Sequence, residues 1–227
     1  MRNVQGTATM STTAKERFDQ MMERCENLLR ASDKPEVLDA VRDDMRRSVV
    51  MFAVSALDAY ASDRFMEDFI KHIKGRKLSK IEVELLVDSG ISVEVALELL
   101  SKRQKRPYRV IRSYVEKHFA KMSMQSFDSI NLLYKYLGLK HIVDDALKNA
   151  EWKTLNKKIK AMLGRRHKIV HEGDYDGKHS LRDIDRGDVE RWLKATRMLV
   201  ESMEEIVKKC VQNNCHSHAR KARKGVK

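Results

Sequence analysis

An arginine and a histidine five residues apart, Arg166 and His171, have the side chains and the spacing from which a chemical site could be built. Apolar residues recur at steps of three and four between Trp152 and Ile169, which predicts an amphipathic helix with Arg166 on its apolar side. A buried guanidinium without a partner is strongly destabilising. Arg166 therefore requires a carboxylate such as that of Asp58, an open cleft, a bound phosphate or a symmetry mate.

His171 falls in the last turn of this helix, because Gly173 suits the position just after a helix. There the helix dipole stabilises the imidazolium form, which favours a group that takes and returns a proton. The two side chains are roughly 140° apart around the helix and flank a groove. A phosphate-binding arginine beside a titratable histidine suits cleavage of RNA by its own 2′-hydroxyl, a reaction that needs no metal. The alternative is a salt-bridged helix end without chemistry.

A metal site is a second alternative, because His167 and His171 share a helix face at positions i and i+4. No carboxylate stands at the spacing of an H-E-x-x-H motif, and Glu172 faces elsewhere. We therefore expect neither a metal nor another cofactor.

The distribution of helix breakers predicts an all-α fold. The 227 residues include two prolines and nine glycines, and the common residues are good helix formers. We expect a first helix from Ala14 to about Ala31. A long core helix should follow, with Asp33 as its cap and Pro35 in its first turn, and it meets no breaker until Gly75. A set of short helices is inserted between about residues 77 and 150, and two long helices complete the chain.

These elements predict a helical bundle in which the penultimate long helix ends with the R-x4-H pair. One domain should cover residues 14–210, because no linker or internal repeat divides the chain. Residues 1–13 and the basic tail 211–227 have little to bury and are expected to be disordered.

Two stretches resemble a known family. "RHKIVHEGD" at 166–174 is similar to the signature of the HEPN superfamily (higher eukaryotes and prokaryotes nucleotide-binding domain), commonly R-N-x-I-V-H at the end of a helix. "VSALDAY" at 54–60 resembles a stretch of one HEPN branch, the RiboL-PSP type. The resemblance covers roughly residues 40–205 as an order of helices, and these two stretches are its specific part.

The resemblance implies an all-α homodimer in which two motifs face each other and form one metal-independent ribonuclease site. Arg166 would bind the scissile phosphate, and His171 would act as general base or acid. His167 departs from the usual asparagine, so its auxiliary role differs from the pattern. Asp58 is expected as an auxiliary partner of Arg166. The resemblance also implies a defence or toxin-like role, with an antitoxin or another regulatory partner.

The charge of the chain indicates a polyanionic partner, and RNA is the expected one. The formal net charge is +13, and residues 206–227 alone hold seven Lys or Arg and no acid. A second block without acids, "KRQKRPYRVIR", covers residues 102–112. The expected nucleic-acid contacts are Arg165, Lys168, Lys102, Arg103, Lys105, Arg106, Arg109 and Arg112.

Three cysteines at wide spacing give no disulfide framework and favour a reducing compartment. The amino-terminal residues lack the apolar run of a signal peptide, and the longest apolar run, 48–57, is half a membrane span. We therefore expect a cytoplasmic protein without membrane contact.

Two other functions are compatible with the sequence: a noncatalytic nucleic-acid or nucleotide-binding HEPN module, and a helical assembly subunit.

Overall fold

The architecture is built from helices that pack along one long central helix. The computed structural model describes residues 12–74, 77–101, 105–122, 124–150 and 152–224, with side chains through residue 210. In these ranges the β structure is limited to an isolated bridge between Tyr175 and Leu181. The predicted all-α class is therefore confirmed. The helices are α1 (Ala14–Ser32), α2 (Asp39–Ile73), α3 (Lys80–Asp88), α4 (Val93–Leu100), α5 (Pro107–Phe119), α6 (Phe127–Tyr134), a 3₁₀ turn (Lys135–Leu137), α7 (Ile142–Asn149), α8 (Leu155–Glu172) and α9 (Arg186–Lys224).

The first helix begins where the sequence predicts it. Thr13 caps α1 through a reciprocal pair of hydrogen bonds with Glu16, which satisfies donors at the helix start. The start of the next helix differs from the prediction at Pro35. The Val37 amide bonds the Lys34 carbonyl in a turn, so Pro35 lies in the connection and α2 begins at Asp39.

Helix α2 forms the centre of the core because it is apolar on most of its faces between Val49 and Phe69. Helices α1, α8 and α9 pack along it, and α5 and α6 cover its second half. The ring of Phe65 is fully buried and lies 5.3–6.0 Å from the rings of Phe69, Phe119 and Tyr134. The predicted long core helix is therefore confirmed.

The short helices between residues 77 and 150 are also present as predicted. Ser79 and Ser92 precede α3 and α4, Pro107 opens α5, and Gly138 ends the 3₁₀ turn with a φ of +81°. That φ is left-handed, where glycine carries no Cβ penalty. Helix α4 has no buried side chain. Among the described residues, no helix is long and apolar enough to cross a bilayer.

The final helix begins at Arg186, directly after an aspartate that caps it. The Asp185 side chain accepts the backbone N–H of Asp188 at 2.9 Å, which is the hydrogen bond of a helix N-cap. Helix α9 then runs to Lys224, so the predicted domain end at residue 210 is not a helix end.

The burial pattern of α2 predicts unequal effects for two phenylalanines on the same helix. Phe65→Ala should lower the free energy of unfolding by about 3–5 kcal/mol, because it opens a cavity among aromatic rings. Phe52 is 46% exposed, and Phe52→Ala should change it by about 0.5 kcal/mol or less. Urea unfolding followed by circular dichroism measures both. Equal losses would contradict the assignment of Phe65 to the core.

Candidate active site

Helix α8 carries the arginine and the histidines of the sequence motif. Its inner side buries Leu155, Ile159 and Met162 against α2 and α9, and Arg166 takes the next place on that side. Arg166 is half-buried and lines an open cleft of about 330 Å³ between α8, α2 and the start of α6. The cleft is lined by Val54, Gln125, Ser126, Leu163, Arg166, His167 and His171.

The guanidinium of Arg166 makes no hydrogen bond or ion pair with any residue that the structure describes. The prediction that Asp58 pairs with it is wrong. The Asp58 carboxylate instead accepts the Met124 backbone N–H at 2.9 Å and the Gln125 side-chain amide at 3.2 Å. Of the alternatives that the sequence left open, an open cleft is the one that the structure supports for Arg166.

Asp58 therefore acts on the cleft indirectly. By holding Met124 and Gln125, it fixes the segment that enters α6 and forms the wall opposite α8. Tyr60, from the same "SALDAY" stretch, points into the core, where its hydroxyl donates to Glu204 at 3.0 Å. Burial raises the pKa of Tyr60 well above its ordinary value, so this phenol stays protonated as a donor.

Two imidazoles stand beside the free guanidinium. His167 and His171 are both exposed, and their ring centroids are 4.6 Å apart with planes tilted by 44°. This proximity follows from their i and i+4 spacing on one face of α8. Within the described residues, no group of three or more His, Cys, Asp or Glu is placed to hold a metal ion. The cleft thus combines a cationic anion-binding group with two groups able to exchange protons.

The helix ends behind His171 as predicted. Gly173 has a φ of +61°, and its N–H closes the last turn on the Lys168 carbonyl. Asp174 has a φ of +64°, and its N–H bonds the same carbonyl at 3.1 Å. Two successive left-handed residues turn the chain sharply and direct the Asp174 side chain back into the protein, where it is fully buried.

The Asp174 carboxylate joins two helices. One of its oxygens accepts Arg47 Nε at 2.8 Å from α2 and Arg165 Nη2 at 2.7 Å from α8. Both guanidinium groups also donate to the Arg182 carbonyl, at 2.8 and 3.0 Å. Arg165, which the sequence predicts as an RNA contact, is therefore not a solvated side chain: its guanidinium is 17% exposed and holds the end of α8 in place.

The described part of the predicted basic block, residues 105–112, begins away from the cleft, near the end of α2. Lys102 and Arg103 lie outside the described residues. Arg112 is ion-paired with Glu116 at 2.6 Å, whereas Lys105, Arg106 and Arg109 are exposed. The neighbouring Tyr108 ring lies under Lys74 at 5.3 Å, and twenty helical residues separate Lys74 from Val54, about 30 Å along α2.

The chain matches the family model described as RiboL-PSP-HEPN over residues 22–209. The chain belongs to this family. The match spans α8 with its R-x4-H pair and the part of α2 that holds Asp58. No curated protein and no solved structure matches the chain.

Sequence reasoning missed two features of this RiboL-PSP-HEPN cleft. Gln125 and Ser126 reach it from a distant part of the chain, and no local pattern marks them. The Asp174 cluster, which is Asp174 with Arg47 and Arg165, left a weak signal in the sequence. Arg47 stands at the edge of the apolar run of α2, where a buried charge needs a carboxylate partner, and Asp174 directly follows the glycine that ends α8.

The Asp174 ion pairs predict a large stability effect from removing one charge. Asp174→Asn keeps a side chain that tolerates positive φ but leaves Arg47 without this carboxylate, so the free energy of unfolding should fall by about 3 kcal/mol. Glu172→Gln is the matched control, because Glu172 is half-exposed and 3.7 Å from Arg182. It should cost about 0.5 kcal/mol or less. Chemical unfolding of both variants checks this, and a small effect of Asp174→Asn would refute the role of the cluster.

The hydrogen bonds of Asp58 predict a local effect on the cleft wall. Asp58→Ala should accelerate hydrogen exchange at the Met124 amide, because that N–H loses its acceptor. Asp63→Ala is the control on the same helix: Asp63 pairs with Arg17 at 3.0 Å and does not hold this segment. Amide exchange followed by NMR separates them. Unchanged protection at Met124 in Asp58→Ala would show that another contact holds the wall.

Proposed function

We propose that this RiboL-PSP-HEPN protein is a metal-independent endoribonuclease whose site is completed by a second copy of the chain. The observation that carries the proposal is the guanidinium of Arg166. It is half-buried, it has no partner among the described residues, and it shares an open cleft with His167 and His171. Such a group is costly to retain unless a ligand pairs with it, and a phosphate is the ligand that an arginine binds best.

The proposed reaction uses the RNA's own nucleophile. The imidazole of His171 removes the proton of a 2′-hydroxyl, and the resulting oxygen attacks the adjacent phosphorus. Arg166 binds the non-bridging oxygens and stabilises the charge that develops on them. The bond from phosphorus to the 5′-oxygen then breaks, and that oxygen takes a proton from a second imidazolium. The products are a 2′,3′-cyclic phosphate and a 5′-hydroxyl.

A homodimer would supply the second proton donor. In the composite site implied by the family resemblance, the His171 of the second copy faces the first and protonates the leaving oxygen. His167 lies 4.6 Å from His171 on the same helix face and assists where the family pattern has an asparagine. The exposure of both rings in the single chain leaves them accessible to such a partner.

We further propose a defence or toxin-like role in the cytoplasm. An open cleft that cuts cellular RNA without a metal requires control, so an antitoxin or another regulatory partner is part of the proposal. The partner would act most directly by covering His167 and His171.

The proposal predicts RNA cleavage in the presence of EDTA that depends on two side chains. Arg166→Ala and His171→Ala should each lower the cleavage rate by about 100-fold or more, because they remove charge stabilisation and proton transfer. Cleavage of a labelled RNA is followed by electrophoresis, and the cyclic phosphate is identified by mass spectrometry. Arg24→Ala and His141→Ala, which change an exposed arginine and an exposed histidine elsewhere, should leave the rate unchanged.

Several outcomes would reject parts of the proposal. Cleavage that survives both substitutions would end the catalytic assignment, and dependence on an added divalent metal would restore the metal alternative. Salt-sensitive RNA binding without cleavage would favour the noncatalytic module. A protein that sediments as a monomer at every concentration, yet remains active, would exclude the composite site.

A further inference from the structure

Helix α8 carries a third basic segment, in addition to the two blocks at 102–112 and 206–227. Residues 152–171 hold seven Lys or Arg and no acid. The side chains divide by face, because Arg165 is paired with Asp174 at 2.7 Å and Lys158 lies 3.9 Å from Asp188. Positive charge on that side of the helix is therefore balanced by carboxylates.

The opposite side of α8 presents an unbalanced row of residues. Lys157, Lys160, Gly164, His167 and His171 are spaced by three, four, three and four residues, which aligns them along one face of the helix. All five are exposed. Neither lysine has an ion pair with any residue in the described ranges. We call these five residues the α8 stripe.

The α8 stripe leads directly into the cleft. Its last two members line the cleft with Arg166. The Lys160 ammonium lies 5.8 Å from the centre of the Phe127 ring, and Phe127 directly follows Gln125 and Ser126 of the cleft wall. From Lys157 to His171 the stripe extends about 21 Å, since fourteen residues separate them.

Gly164 in the middle of the stripe has no packing role. Glycine weakens a helix interior, yet a Cβ at Gly164 would meet nothing within 4 Å. The missing side chain instead leaves the helix backbone open between Lys160 and His167. A strand lying on the stripe could approach closely at this point.

We propose that the α8 stripe is the binding track for the sugar-phosphate backbone of single-stranded RNA and delivers it to Arg166 and His171. A single row of cations on one helix matches one strand, with the ammonium groups contacting phosphates. Only the cleavage chemistry at the end of the track rests on the proposed function; RNA binding along the stripe does not. It differs from the block at 105–112, whose Tyr108 lies beside Lys74 at the far end of α2.

Salt-dependent binding tests the track with the full chain and a 2′-O-methylated single-stranded RNA, which cannot be cut by its own 2′-hydroxyl. Lys157→Gln combined with Lys160→Gln should reduce the slope of log K against log salt by about 1.4, since each lost phosphate contact removes about 0.7. That change weakens binding about 25-fold at ~0.1 M salt. Fluorescence anisotropy across a salt series gives both values.

Two further variants make the result specific. Lys34→Gln combined with Lys140→Gln removes the same charge from exposed positions elsewhere and should leave the slope unchanged. Gly164→Leu keeps every charge, and it should still weaken binding by filling the open point in the stripe. Equal slopes for the two charge variants, or an unchanged slope for the stripe variant, would overturn the track. Because the RNA is uncleavable, a binding result stands even if the unmodified protein cuts no RNA.

Discussion

The position of the cleft depends on one buried carboxylate. Asp174 receives Arg47 from α2 and Arg165 from α8 on the same oxygen, so the end of the motif helix is tied to the central helix. The tie exists because Gly173 and Asp174 both adopt left-handed backbone conformations that turn the chain back toward the core. His171 precedes this turn by two residues, and its place beside α2 follows from the turn and the ion pairs together. A buried ion pair contributes little net stability compared with apolar packing, but it fixes geometry when its partners come from different elements.

Asp58 fixes the opposite wall of the cleft in the same way, by a charged side chain that joins two elements. It lies on α2 eleven residues after Arg47, three helical turns along the same face, and it holds Met124 and Gln125. The central helix thus fixes both walls of the cleft through charged side chains, while its apolar faces build the core. A change in how α2 packs would move both walls together.

The sequence was sufficient for most of the fold and for the expectation that Arg166 and His171 flank one groove. Periodic apolar residues and clear breakers, such as Pro107 and Gly173, mark helices that depend on local signals. Pro35 misled because it fits a first helical turn and an ordinary turn equally well, and tertiary contacts decide between them. The partner of Asp58 and the role of Arg165 could not be read from the chain, because both depend on residues brought together by packing over long sequence distances. In each case the sequence marked a charged residue that needed a partner without identifying that partner.

The arginines of this domain show why Arg166 differs from a structural residue. Arg47 and Arg64 are both 8% exposed, and each is matched by carboxylates: Asp174 for the first, and Asp68 and Glu204 for the second. Arg165 is matched in the same way. Each of these three guanidinium groups therefore has a carboxylate partner within the fold. Arg166 leaves its donors facing an open cleft beside two imidazoles. If Arg166 binds the phosphate as proposed, the contact would form without first breaking an internal ion pair, and its electrostatic gain would be available to the ligand.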